Sequence, residues 1–154
     1  MHRKGFSLLE LIIVLVIISL LTICLAFKWS RDSVVLDAQA ELLMTDLRYA
    51  QNLAMTKHQK FSLVKISSSS YQIQDDLRQP VLNSLNQETR FLAKGISFGD
   101  FQLINNRIIF NSEGVPYSDE VESKPISIIA KIPLVLKNRT VYVNINPETG
   151  MVGL

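Results

Sequence analysis

The sequence predicts an α+β protein in which one long N-terminal helix packs on antiparallel β-sheet. Three observations predict it. No proline or glycine occurs between Phe6 and Lys57, so a single helix of about 52 residues is permitted. In its second half Leu36, Ala40, Leu43, Leu47, Ala50 and Ala54 recur at alternating steps of four and three, which places them on one face. From Phe61 onward the pattern changes to short alternating runs divided by Ser, Asn, Gly and Pro clusters.

The first half of the helix is apolar from Phe6 to Phe27, broken by Ser19, Thr22, Cys24 and, near its start, Glu10. At about 1.5 Å per residue this run spans roughly 33 Å, close to a bilayer core. A secretory signal would be shorter and would end in a small-residue cleavage site. A soluble core helix is rarely apolar on all sides for so long. A plain membrane anchor fits the length and leaves Glu10 unexplained, since a carboxylate in such a segment costs roughly 2.5–3.5 kcal/mol on insertion scales. Glu10 therefore needs a partner.

Lys4-Gly5-Phe6-Ser7-Leu8-Leu9-Glu10 resembles the processing motif of type IV prepilins and of the pseudopilins of type II secretion and competence systems. The resemblance implies that a membrane-embedded prepilin peptidase cuts between Gly5 and Phe6 and methylates the new amine of Phe6. The mature chain would then assemble through its apolar helix with other pilin or pseudopilin subunits, on an inner-membrane assembly platform. A free α-amine is cationic near neutral pH, and Glu10 is its natural counter-ion at the edge of a low-dielectric region. The pair can form within one chain or between neighbours, and the family implies the second. Such a pair fixes register, because removing one partner leaves an uncompensated charge.

Basic residues flank the run on both sides, Arg3 and Lys4 before it and Lys28 and Arg31 after it, so the positive-inside rule does not orient the chain. The short N-terminal flank and the family both place the N-terminus in the cytoplasm. The globular part then lies outside a single-pass inner-membrane anchor. Lys28, Trp29 and Arg31 read as a membrane-interface cluster touching lipid. The implied divisions are a leader at 1–5, a membrane and polymerisation helix at 6–27, an amphipathic helix at 28–59 and a β-rich domain at 60–154. Loss of the leader takes two of the 16 basic residues and leaves 14 against 14 acidic ones, so nucleic acid is not an expected partner. Cys24 is the lone cysteine and reads as a small apolar side chain.

In the β-rich part Phe61–Ile66 and Tyr71–Gln74 flank the serines 67–70 and read as a hairpin. Asp75 to Glu88 reads as a polar loop around Pro80 with room for a short irregular strand. Ile96–Phe98, Arg107–Phe110, Ile126–Ile132 and Thr140–Ile145 are further strands, and Asn146–Gly150 is a last turn before Met151 and Val152. Three segments are similar to the H-type, or GspH/FimT-like, class of pseudopilins and minor pilins. They are Ala50–Gln59, Ile109–Pro116 and Ile145–Val152. The D-type competence pseudopilin has a similar ending. The class implies a minor subunit serving protein secretion or pilus assembly, with a DNA-uptake subunit as the alternative.

Some FimT-like proteins bind DNA through arginines around a C-terminal glycine, whereas here the turn reads Gly150-Met151-Val152-Gly153. Lys124, Lys131, Lys137 and Arg139 are the nearest cations, and solvated surface charge accounts for them. Nucleophile motifs, paired histidines, phosphate-binding glycine loops and Cys/His metal spacing are missing, so the reading is a structural subunit without catalytic residues, metal or cofactor. His58 reads as a surface residue and Asp75-Asp76 as a solvated loop. Asp119, Glu120 and Glu122 lack the spacing of a calcium loop. Asn138-Arg139-Thr140 matches a three-residue glycosylation pattern.

Overall fold

The computed structural model describes residues 7–100, 103–118 and 125–154, and their side chains apart from those of 23–32 and 104. The chain divides into two units, Met1–Val34 and Val35–Leu154. Helix α1 is assigned to Leu8–Lys57. Its end carries a Schellman closure, in which the Gln59 amide donates to the Ala54 carbonyl at 3.3 Å and His58 takes a left-handed φ of 51°. His58 is exposed, as expected.

In the second unit the helical face read from the sequence is the core face. Leu36, Ala40, Leu43, Leu47, Ala50 and Ala54 are all fully buried, while Asp37, Glu41, Arg48 and Asn52 are exposed. The three alanines have no bulk to hold neighbouring strands away. Truncating any of the three leucines to alanine costs about 2–5 kcal/mol, by lost transfer energy plus a cavity.

The strands form two antiparallel sheets. The first contains β1 (Phe61–Ser67), β2 (Ser70–Gln74), β3 (Pro80–Val81), β4 (Thr89–Phe91), β6 (Arg107–Phe110) and β7 (Pro116–Tyr117), with β5 (Ile96–Phe98) belonging to the second. Its order is β3-β2-β1-β6-β7, and β4 also pairs with β2. The second sheet adds β8 (Ala130–Leu136), β9 (Arg139–Ile145) and β10 (Val152–Gly153), in the order β10-β9-β8-β5. Cross-strand rows such as Ile73–Leu63–Ile108 and Phe61–Phe110 point into one core shared with α1 and with Ile132, Leu134, Val143 and Ile145 of the second sheet. Tyr71 and Phe98 join the sheets edge-to-face, with ring centroids 5.9 Å apart.

The expected strand at Ile126–Ile132 is corrected: β8 starts at Ala130 and continues through Pro133 to Leu136. Proline within an alternating run argues against a central strand. Here it is tolerated because the Pro133 carbonyl accepts from the Gly99 amide at 2.9 Å, on the β5 side, just where β5 has ended. A residue's N–H and C=O share one side of an antiparallel ladder. The missing N–H therefore leaves the β8–β9 ladder intact.

Three turns share one design. In Asp75–Gln79, Asn83–Gln87 and Asn111–Val115 the first residue's Oδ1 accepts from the amides two and four residues on, at 2.8–3.2 Å. The fourth residue, Arg78, Asn86 or Gly114, has positive φ, which is the type I turn plus bulge of a three-residue hairpin. Asp75 is thus a turn former, and the expected loop at 75–88 resolves into two such turns around β3.

Candidate functional site

The described start of α1 is built to carry Glu10. Ser7 caps the helix: its Oγ accepts from the Glu10 amide at 3.2 Å, and its carbonyl accepts from Glu10 and Leu11 at 3.0 and 3.2 Å. Ser7-Leu8-Leu9-Glu10 is therefore a capping-box sequence, a second meaning of the motif that the sequence reading missed although the spacing displays it. A carboxylate in the first turn also suits the positive end of the helix dipole. Glu10 itself is exposed. The twelve large apolar residues from Leu8 to Leu21 are 43–76 % exposed, so this part of the helix presents an unpartnered apolar surface. The Ser19 and Thr22 hydroxyls donate back to the carbonyls of Leu15 and Ile18, both at 2.8 Å, so neither needs a partner outside the helix.

Among the described residues no helix is long and apolar enough to cross a membrane. The side chains of residues 23–27, which complete the expected span, lie outside the description, as do those of Lys28, Trp29 and Arg31. Gly5 and Phe6, the cleavage and methylation positions, and the acidic residues Asp119, Glu120 and Glu122 also lie outside the described residues. Among the described residues no group of His, Cys, Asp and Glu could hold a metal ion.

Deep in the second unit a charge cluster fastens α1 to the first sheet. Asp46, fully buried, accepts from Arg90 Nε at 2.6 Å and Nη2 at 3.1 Å, from the Tyr71 hydroxyl at 2.8 Å, and from the amide and hydroxyl of Ser84. Each carboxylate oxygen is thus bonded more than once, the condition under which a buried ion pair is tolerated. Burial, then the Asp46 charge and its hydrogen bond, push the Tyr71 phenol far above its usual value near 10, against a lowering by Arg90. Because the folded state holds that proton more tightly, the contribution is complete below pH 10 and declines as pH rises above it. Tyr71→Phe should cost roughly 1.5–3 kcal/mol at neutral pH, by loss of a bond to a charged acceptor. It should also flatten the loss of stability above pH 10, which chemical denaturation across that range measures.

A second fastening joins the three segments quoted above for the H-type class. Gln51 Nε2 donates to the Gly114 carbonyl at 2.9 Å and to the Thr149 carbonyl at 3.0 Å, and Arg48 Nη2 donates to the Val152 carbonyl at 2.8 Å. The turns at Asn111–Val115 and Asn146–Gly150 therefore meet over one turn of α1. Gly150, with φ of 66°, sits where a Cβ would overlap Gln51 Nε2 and the Gly114 carbonyl. Gly150→Ala should therefore lower the thermal midpoint by the equivalent of at least ~2 kcal/mol, from left-handed strain plus displacement of Gln51.

Lys124 lies outside the described residues, and the other three cations named above do not gather at the C-terminal turn. Lys137 and Arg139 stand at the β8–β9 turn, where Leu136 pairs with Arg139, whereas Gly150 adjoins the opposite end, where Ala130 pairs with Ile145 and Ile145 with Val152. Seven-residue strands separate the two ends by about 20 Å. Lys131 holds its Nζ over the Tyr142 ring, 6.0 Å from its centroid.

With this geometry in hand, comparison with known families is decisive. Residues 39–149 match the family model described as type II transport protein GspH. The chain belongs to the GspH family. Residues 1–23 match the prokaryotic N-terminal methylation motif, which contains Gly5, Phe6 and Glu10. No curated protein matches this GspH-family chain. A solved structure of the type IV minor pilin FimU from Pseudomonas aeruginosa is similar at a TM-score of 0.56 and 15 % identity, covering 77 % of this chain and 87 % of that one. The shared fold is the pilin arrangement of an N-terminal helix packed on antiparallel sheets. This GspH-family chain is a minor pseudopilin or pilin, and its pilin-type N-terminal motif is one that anchors subunits in the membrane.

Proposed function

We propose that the chain is inserted in the inner membrane and cut after Gly5 by a prepilin peptidase, which methylates Phe6. The mature subunit is then extracted into a type II secretion pseudopilus or a type IV pilus at low stoichiometry. Its N-terminus starts in the cytoplasm and its globular part outside it. Phe6 to Phe27 is the polymerisation helix, Lys28, Trp29 and Arg31 seat it at the lipid interface, and an assembly platform in the same membrane delivers it. The work is mechanical, with no bond made or broken by the subunit.

One observation carries this reading. Glu10 stands in the capped first turn of a helix whose next apolar residues are all exposed, within the matched methylation motif. The Phe6 amine of one subunit against Glu10 of its neighbour neutralises both charges when that surface is covered. Secretion is favoured over DNA uptake because the family is one of type II transport and the cations of the second sheet lie at opposite ends.

Co-expression with a prepilin peptidase tests it. Intact-mass measurement should show loss of Met1–Gly5 and gain of one methyl group, and neither change with an inactive peptidase. An unshifted mass beside the active enzyme refutes the reading and leaves a tethered binding domain.

A further inference from the structure

Among the described residues, nothing pairs with the second sheet along most of one edge. Strand β10 pairs with β9 only at Ile145 and Asn144, although β9 runs from Arg139 to Ile145. The register says which groups are exposed there. Pro133 turns its carbonyl toward β5, so its partner Tyr142 turns its own N–H and C=O away from β8. Asn146 agrees, since its amide donates outward to the Met151 carbonyl at 2.9 Å, and the same side recurs every second residue. Thr140 and Tyr142 therefore present four main-chain groups to the open edge. Among the described residues none bonds to them, and Arg139, Thr140 and Tyr142 are exposed. Natural edges of this kind are usually blocked by a bulge, a proline or an inward charge. Between Arg139 and Val143 there is none.

Beside this edge, on the outer face of the sheet, lies a groove of about 570 Å³ lined by Gly99, Asp100, Lys131, Pro133, Val135, Thr140 and Tyr142. We propose that the β9 edge accepts an extended segment of a neighbouring subunit as an added strand, antiparallel to β9 and following on from β10. This rests on the assembly reading above. Main-chain bonds to Thr140 and Tyr142 supply the affinity, and alternate side chains supply the choice of partner. The residue opposite Val141 points to the core side, where Val141 is half-buried, and is aliphatic. Its neighbours point to the outer face, and one of them enters the groove, whose lining carries both a cation, Lys131, and a carboxylate, Asp100.

The proline already present in β8 suggests the test. Thr140→Pro removes an N–H that makes no bond to β8, so the full chain in detergent keeps its thermal midpoint within a few degrees. Its incorporation into filaments falls by about tenfold or more, equivalent to ~1.4 kcal/mol, whereas Thr140→Ala incorporates normally. Should the proline variant fail to fold, amide hydrogen exchange on the unaltered chain decides. The Thr140 and Tyr142 amides exchange freely in the isolated chain and are slowed about a hundredfold or more in filaments, the protection expected of a stable strand pairing. Equal exchange in both states, or normal incorporation of a folded Thr140→Pro chain, overturns the inference. Protection that appears with concentration in the isolated chain overturns it too, by making the occupant a second copy. Failure of the unaltered chain to enter filaments at all sinks the assembly reading, and this inference with it.

Discussion

Glu10→Ala is expected to leave cleavage after Gly5 intact and to reduce incorporation into filaments by about two to three orders of magnitude. The size follows from what is left behind. An ammonium covered by a neighbouring apolar helix without its counter-ion costs roughly 3–5 kcal/mol, and each 1.4 kcal/mol is a factor of ten. Glu10→Gln keeps the shape of the side chain and its polar atoms but removes the charge, so it should fail nearly as badly. Glu10→Asp keeps the charge on a shorter arm and should recover part of the loss. Immunoblots of sheared filaments against membrane fractions give the incorporated share, and the leader's mass gives processing. Wild-type incorporation of Glu10→Gln would remove charge pairing from the account. The effect on the isolated helix is small by comparison, because the Ser7 hydroxyl still caps the Glu10 position through its amide, whatever the side chain.

Asp46→Ala acts on the fold instead. It strands the Arg90 guanidinium in a site where that side chain is almost fully buried, and it deprives Tyr71 and Ser84 of their acceptor. Breaking one partner of a buried pair costs about 3–5 kcal/mol. For a domain of this size that lowers the thermal midpoint by the order of 10–20 °C. Replacing both charges at once, Asp46→Leu with Arg90→Met, should cost much less than the sum of the single changes, since no uncompensated charge remains. Thermal unfolding of the two single variants and the double variant closes the cycle. Additive effects would mean that the two residues contribute independently rather than as a pair.

The same two carboxylates show what could be read in the sequence and what could not. Glu10 was legible because it is the one charge in a long apolar run, where any charge demands an explanation. Asp46 was not, because on an amphipathic helix an acid is expected somewhere. Its signal was positional: it lies three residues beyond Leu43 and four before Ala50, inside the buried stripe rather than opposite it. Its counter-charge, Arg90, lies 44 residues away on a three-residue strand. No local pattern links the two.

Strands were legible where alternation extended over several residues, as at Phe61, Arg107 and Thr140. They were lost where a strand is defined only by its partner, as with β4 and β7, and misplaced where proline masked the continuation, as in β8. The glycines in the turns after Asn111 and Asn146 were visible as turn formers. That the two turns meet over Gln51 was not, since a side chain bridging two carbonyls leaves no trace in spacing.

The central claim is that Glu10 neutralises the terminal amine of a neighbouring subunit. It is tested most directly in filaments assembled from two labelled pools. This chain carries ¹³C at the Glu10 carboxyl, and the other subunits carry ¹⁵N at their methylated N-terminal amines. Solid-state dipolar recoupling between the two nuclei should detect a contact within about 4 Å, the range at which opposite charges pair. A contact found only when both labels are placed in the same chain would contradict the claim, as would no contact at all.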